Sequence, residues 1–298
     1  MKKIALILAA LMLAVSLIAC NNTEAEDDKA SAADTKKAEK TWSISGTEGD
    51  SEEIVTVGTV TYDDEKGKTV AITKYSGLST KHTLKIDSKF VHDNTEYIPT
   101  KIGNEAFYHC ASVTAIELPS TLTDIGDWAF TGSGIEKIVI PASVKYIGKG
   151  AFAKCESLTE VIFEEGSQLV SIDDYAFDGC VNLATVTIPE GVEAIGAGAF
   201  HDCESITSLK TPSTLKSIDD GAFIGCTGLN QQGALDVSAS VNIETKIENV
   251  AGEKVEIVCL GREIFGGINK EYIIVPENAE SNIAKYVAAM TAAQTPEQ

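Results

Sequence analysis

The sequence predicts an α/β repeat solenoid, each unit a strand followed by a corner and a short helical turn. Three observations carry this expectation. The phrase Ile-Gly-x-x-Ala-Phe-x-x-Cys, in full or degenerate form, is written six times between Ile102 and Cys226, with its aromatic at Phe107, Phe130, Phe152, Phe177, Phe200 and Phe223. The spacings of 23, 22, 25, 23 and 23 residues keep nearly one period, the mark of stacked supersecondary units rather than of one globular core. Between these phrases runs an apolar stretch that ends in Pro119, Pro141, Pro189 and Pro212, and proline ends a strand because it cannot donate to a ladder.

The elements before the array read in order as leader, tether and β-unit. Lys2 and Lys3 precede an apolar run from Ile4 to Ala19 that is broken only by Ser16, the pattern of a secretory signal in residues 1–19. Leu17-Ile18-Ala19-Cys20 resembles the lipobox of bacterial lipoproteins. That resemblance implies cleavage before Cys20 and lipidation of its sulfur, with the chain anchored to a lipid bilayer. Residues 20–53 are polar and acidic, without apolar periodicity, and read as a disordered tether. Residues 54–98 read as a β-rich N-terminal cap, with strands at Ile54–Tyr62 and Thr69–Tyr75 around a polar turn and short runs at Leu84–Ile86 and Tyr97–Ile98.

The array occupies residues 99–232. Within a repeat, Ile102, Ala106, Phe107 and Cys110 share an arc of roughly 140° at helical spacing, which places them on one face of a helical turn. Val113, Ile116 and Leu118 follow at strand spacing. The residue after the leading isoleucine is Gly103, Gly126, Gly148, Asp173, Gly196 or Asp219, types that tolerate positive φ, so a tight corner is expected there. The pattern resembles the BspA (Treponema pallidum-type) leucine-rich repeats of bacterial surface proteins. The resemblance implies a cell-surface protein whose solenoid binds proteins of a host or neighbouring cell. The second repeat departs from it, with Gly132-Ser133-Gly134 in place of the cysteine and its neighbours, and the third carries Glu164-Glu165-Gly166 where the proline turn belongs. Residues 233–298 read as a C-terminal cap, with strands at Val255–Leu260 and Glu271–Val275 and a final helix bearing Ile283, Tyr286, Val287 and Met290 on one face.

Composition bounds the function. Apolar residues make up 44% and charged ones 23%, a composition that folds, and the formal net charge of −20 argues against nucleic acid or an anionic membrane surface as partner. A cationic partner remains open. No Gly-x-Ser-x-Gly, phosphate-binding glycine loop or His-Glu-x-x-His is written here, so no catalytic or cofactor residue is nominated and no enzyme is expected. The even number of cysteines after Cys20 suggests disulfides, yet five of them take one position in successive repeats and so point the same way. Free, buried thiols are the expectation. His109 beside Cys110 and His201 near Cys203 lie four repeats apart, about 19 Å at the ladder spacing, and cannot share a metal. The pairs Asp173-Asp174 and Asp219-Asp220 read as corner turns rather than as a calcium site.

What remains is surface. The outward row of the strands runs Glu117, Val139, Ile162, Thr187 and Lys210, beside a second row of Ala115, Lys137, Glu160, Thr185 and Ser208. Val139 and Ile162 form a small apolar patch among polar neighbours, which reads either as a contact for a partner or as β-branched residues that simply suit a strand, and the irregular second and third repeats are where recognition is expected. The reading is a non-catalytic binding or adhesion lipoprotein with a protein ligand. The alternative is a structural spacer or scaffold of the cell envelope.

Overall fold

The computed structural model describes residues 40–48, 54–64 and 68–230, together with strands at 235–236, 245–250, 253–258 and 273–274. The expected leader, Cys20, most of the tether and the final helix lie outside the described residues.

Folded structure begins earlier than the composition suggests. Strand β1, Lys40–Thr47, lies in the stretch read as tether and pairs antiparallel with β2, Ile54–Asp64. Its short apolar alternation accounts for this: Ile44 is buried, and Trp42 stacks on Phe90 with ring centroids 3.6 Å apart. Strand β3, Thr69–Gly77, completes the meander. After β4, His82–Lys85, the hairpin of β5, Phe90–His92, and β6, Thr95–Ile102, turns at Asp93 and Asn94. Both turn residues are left-handed, with φ of 48° and 59°, which a two-residue hairpin turn of this hand requires.

From this unit two parallel ladders run along the array. The first continues β4 through β7 (Val113–Glu117), β9 (Lys137–Ile140), β11 (Glu160–Phe163) and β13 (Thr185–Val186). The second continues β3 and β6 through β8 (Asp124–Ile125), β10 (Tyr146–Ile147), β12 (Ser171–Ile172), β14 (Ala194–Ile195) and β16 (Ser217–Ile218). Strands β1 and β2 join the two ladders into one continuous sheet. The second ladder corrects the expected repeat. The leading isoleucines lie on strands, not on a helical face: Ile102 ends β6, and the other five sit on the two-residue strands.

The segment read as a helical turn is a chain of tight turns. In the first repeat Ala106, Tyr108, Cys110 and Val113 each donate to the carbonyl three residues back. Left-handed residues two before and two after each phenylalanine keep these turns from merging into a helix. One column is Glu105, Trp128, Gly150, Tyr175, Gly198 and Gly221, and the other is His109, Gly132, Lys154, Gly179, Asp202 and Gly225. The positive φ expected just after the leading isoleucine is therefore found two residues later. The glycine there answers to crowding: a Cβ on Gly103 would stand 2.8 Å from the carbonyl oxygen of Ile72 on the preceding rung.

The core is a column of rings. Successive phenylalanines from Phe107 to Phe223 stack nearly parallel at 5.1 to 5.5 Å, close to the spacing of ladder strands. Backbone bonds hold the rungs together beside them, such as Phe130 N–H to Ala151 O at 2.7 Å and Phe152 N–H to Ala176 O at 2.7 Å. Tyr75 takes the aromatic position one rung earlier, 5.4 Å from Phe107, and its buried hydroxyl meets His82 Nε2 at 2.6 Å. Past Cys226 the chain passes through a 3-10 turn at Thr227–Asn230. Strands β15 (Leu209–Lys210), β17 (Leu235–Asp236) and β20 (Ile273–Ile274) form a separate parallel sheet, and β18 (Thr245–Val250) pairs antiparallel with β19 (Glu253–Val258).

Candidate interaction surface

Outward side chains of the first ladder lie in register across its strands. Ala115 faces Lys137, Lys137 faces Glu160, and Glu160 faces Thr185. Val139 faces Ile162 on the adjoining strand. The charges of this face are paired across strands: Lys85 meets Glu117 at 2.8 Å and Lys137 meets Glu160 at 3.0 Å. The hydrogen bond to Glu117, then its charge, raises the Lys85 ammonium above its ordinary range. Two positions along the same strands from the Lys137–Glu160 pair, Val139 and Ile162 stand 43% and 42% exposed. Lys210 does not join this ladder, because its strand β15 pairs with β17 instead.

A cleft opens beside the apolar pair. It measures about 430 Å³ and is lined by β11, by residues 164–167 and by Thr185, Thr187, Pro189 and Glu190. The two residues that lengthen the third repeat form its lip, where Gly166 turns with φ of 76° and has open space around it. Glu164 is fixed by accepting the Ala142 N–H at 3.0 Å. Both oxygens of Glu190 accept the Ser213 N–H, and one of them also accepts the Ser213 hydroxyl at 2.7 Å. These bonds hold the Glu190 carboxyl below its usual range. Glu165 belongs to the irregular third repeat, where the sequence places recognition, whereas Phe163 and Glu190 carry no such mark. The interval of 25 residues at this repeat was the available signal.

The other candidates are absorbed by the scaffold. Cys155, Cys180, Cys203 and Cys226 are free and buried, and each donates its S–H to the phenylalanine carbonyl of the preceding rung at 3.1 to 3.2 Å. Burial pushes the Cys155 thiol up to about 11 and Cys226 up to about 12, so both stay protonated at neutral pH and are poor nucleophiles. Ser133, in the cysteine position of the second repeat, hydrogen-bonds the Cys155 sulfur at 3.3 Å. Cys110 departs from the expectation of free thiols, since it is disulfide-bonded. His201 Nδ1 lies 2.7 Å from Asp178, whose other oxygen meets Lys154 at 3.2 Å. Asp174 accepts the Ala197 N–H of the next rung at 2.8 Å, as a corner residue would. Burial, followed by the charges of Asp174, Asp220 and Asp173, raises the Asp219 carboxyl. Among the described residues no three His, Cys, Asp or Glu side chains converge to hold a metal ion. Among those residues, also, no helix is long and apolar enough to cross a membrane.

Two parallel ladders, an inward ring column and one short turn segment per rung define a leucine-rich-repeat solenoid. The model of the BspA type leucine rich repeat region matches in six copies over residues 94–170 and 166–233, and the array belongs to this family. The solved leucine-rich repeat protein of T. pallidum is similar at 24% identity and a TM-score of 0.57, over 80% of this chain and 94% of that one. A leucine-rich repeat protein from Eubacterium ventriosum is 21% identical with a TM-score of 0.52, over 70% of this chain and 50% of that one. A leucine-rich cell surface protein from Faecalibacterium prausnitzii is 28% identical with a TM-score of 0.49, over 66% of this chain and 56% of that one. Comparison with curated proteins finds no match.

Proposed function

We propose that this chain is a non-catalytic binding protein of the bacterial surface, anchored by a lipid on Cys20, that presents the first ladder to a protein ligand. The observation that carries this reading is the exposed Val139–Ile162 pair on adjoining strands, beside strand charges paired as Lys85–Glu117 and Lys137–Glu160. Apolar side chains lose no hydrogen bonds when a partner covers them, and cross-strand ion pairs form a polar rim around them. The cleft beside the pair adds a concave element, and the repeat family supplies the precedent of an extended binding surface.

Affinity capture from host or neighbouring-cell extracts tests the face. Changing Val139 and Ile162 together to Lys should lower recovery of the bound protein at least about tenfold, since each lysine must be desolvated within an apolar contact. Equal recovery by the two forms would overturn the proposed face. A spacer would capture nothing above bare resin. The anchor has its own test. Cys20→Ser should move the protein from the membrane fraction into the soluble fraction, because several acyl chains hold a protein stably and their loss leaves no comparable attachment. Retention in the membrane fraction would count against lipidation.

A further inference from the structure

The cleft under the third-repeat lip is built from two opposed chemistries. Its floor is apolar, formed by Ile162, 42% exposed, and the half-buried Phe163. Its rim carries Glu160, Glu164, Glu165 and Glu190, and no lysine or arginine is among the lining residues. Glu160 is balanced by Lys137. Glu164 and Glu190 are held chiefly by neutral N–H and O–H donors, which fix the carboxylates in place without cancelling their charge, and Lys210 adds only a weaker attraction at Glu190. Glu165 is exposed at the crest of the lip. A net charge of −20 on the whole chain adds long-range attraction for cations and repulsion for anions. The volume, about 430 Å³, falls in the ordinary range for a ligand site of about 300–1,000 Å³.

We infer that this cleft takes a cationic segment of a protein partner, with an aliphatic side chain on the Ile162–Phe163 floor and flanking Lys or Arg side chains at Glu165 and Glu190. The inference rests on the reading of this ladder as the binding face and names the chemistry of what it binds. A small cation does not satisfy the site, since among the described residues no three carboxylates converge to hold one and the apolar floor would stay uncovered. An acidic segment would be repelled by Glu164, Glu165 and Glu190.

Fluorescence anisotropy on the full chain in a zwitterionic detergent tests this, using labelled decapeptides. One has two central leucines flanked by lysines, the second replaces the lysines with glutamates, and the third replaces the leucines with serines. The first should bind and weaken as salt screens the rim, and the other two should bind at least about tenfold more weakly. Glu165→Lys and Ile162→Lys should each weaken the first peptide by a similar factor. Glu96→Lys, the same charge change on the β5–β6 hairpin of the other ladder, should leave it within about twofold. Thermal melts establish that the variants fold alike. Equal binding of the lysine and glutamate peptides would overturn the inference, and so would an equal loss in Glu96→Lys, which would reduce the effect to general charge attraction. Should peptide binding fail while the Val139 and Ile162 lysine variant still loses its captured protein, the cationic occupant falls and the binding face stands. Capture that survives that variant removes the face itself.

Discussion

Phe152→Ala is expected to destabilise the array by about 3–5 kcal/mol, measured by urea unfolding of the variant against the parent chain. Phe152 is fully buried between Phe130 at 5.1 Å and Phe177 at 5.2 Å, with ring planes within 7° and 4° of parallel. The rings above and below cannot collapse into the space, because their rungs are held at ladder spacing by bonds such as Phe152 N–H to Ala176 O. The cavity therefore stays open, and its cost adds to the lost transfer energy. A solenoid passes stability only between neighbours, so the loss should also divide the unfolding transition near the third repeat. Phe152→Leu, which retains more of the volume, should recover much of the loss. A cost below about 1 kcal/mol for the alanine variant would mean that the ring column is not the core.

The second large effect is expected at a residue with no side chain. Gly150→Ala should cost about 2–4 kcal/mol, from left-handed backbone and from overpacking together. Gly150 has φ of 59° and lies under the Trp128 ring, whose nearest carbon would stand 2.2 Å from the new methyl. The same column accepts Trp128 and Tyr175 at φ of 56° and 55°, so positive φ alone does not demand glycine. What demands it is the large side chain of the preceding rung folding over the position. Trp128→Ala combined with Gly150→Ala should relieve the overpacking part and leave the backbone part, which a double-mutant cycle on thermal or urea unfolding would separate. Strict additivity of the two changes would show that the ring and the glycine do not interact.

Much of this architecture was legible because a repeat announces itself by period. Phe107 through Phe223 and the cysteines fall at equivalent positions, and any residue type repeated at that spacing must face the same neighbours. The second ladder was not legible. Asp124–Ile125 and its equivalents are two-residue strands, too short for an alternation to register, and their isoleucines fit a helical face equally well on paper. Strand β1 was hidden for a related reason, since Trp42 and Ile44 are two apolar residues in a polar stretch and only the partners Tyr62 and Phe90 reveal their purpose. The patch residues Val139 and Ile162 were readable from strand alternation. The cleft was not, because its shape depends on how two inserted residues leave the plane of the ladder.

The sequence by itself determined the core of the six repeats and their order, since burial follows from residue type and the period repeats it; the extra rung led by Tyr75 came only from the fold. The tertiary structure decided where the backbone turns left-handed, which charges are neutralised, and where a concave surface forms. Those properties depend on what the adjacent rung supplies. Gly150 is held to glycine by Trp128, Lys137 is paired by Glu160, and the lip at Gly166 stands clear because the neighbouring repeats lack the extra residues.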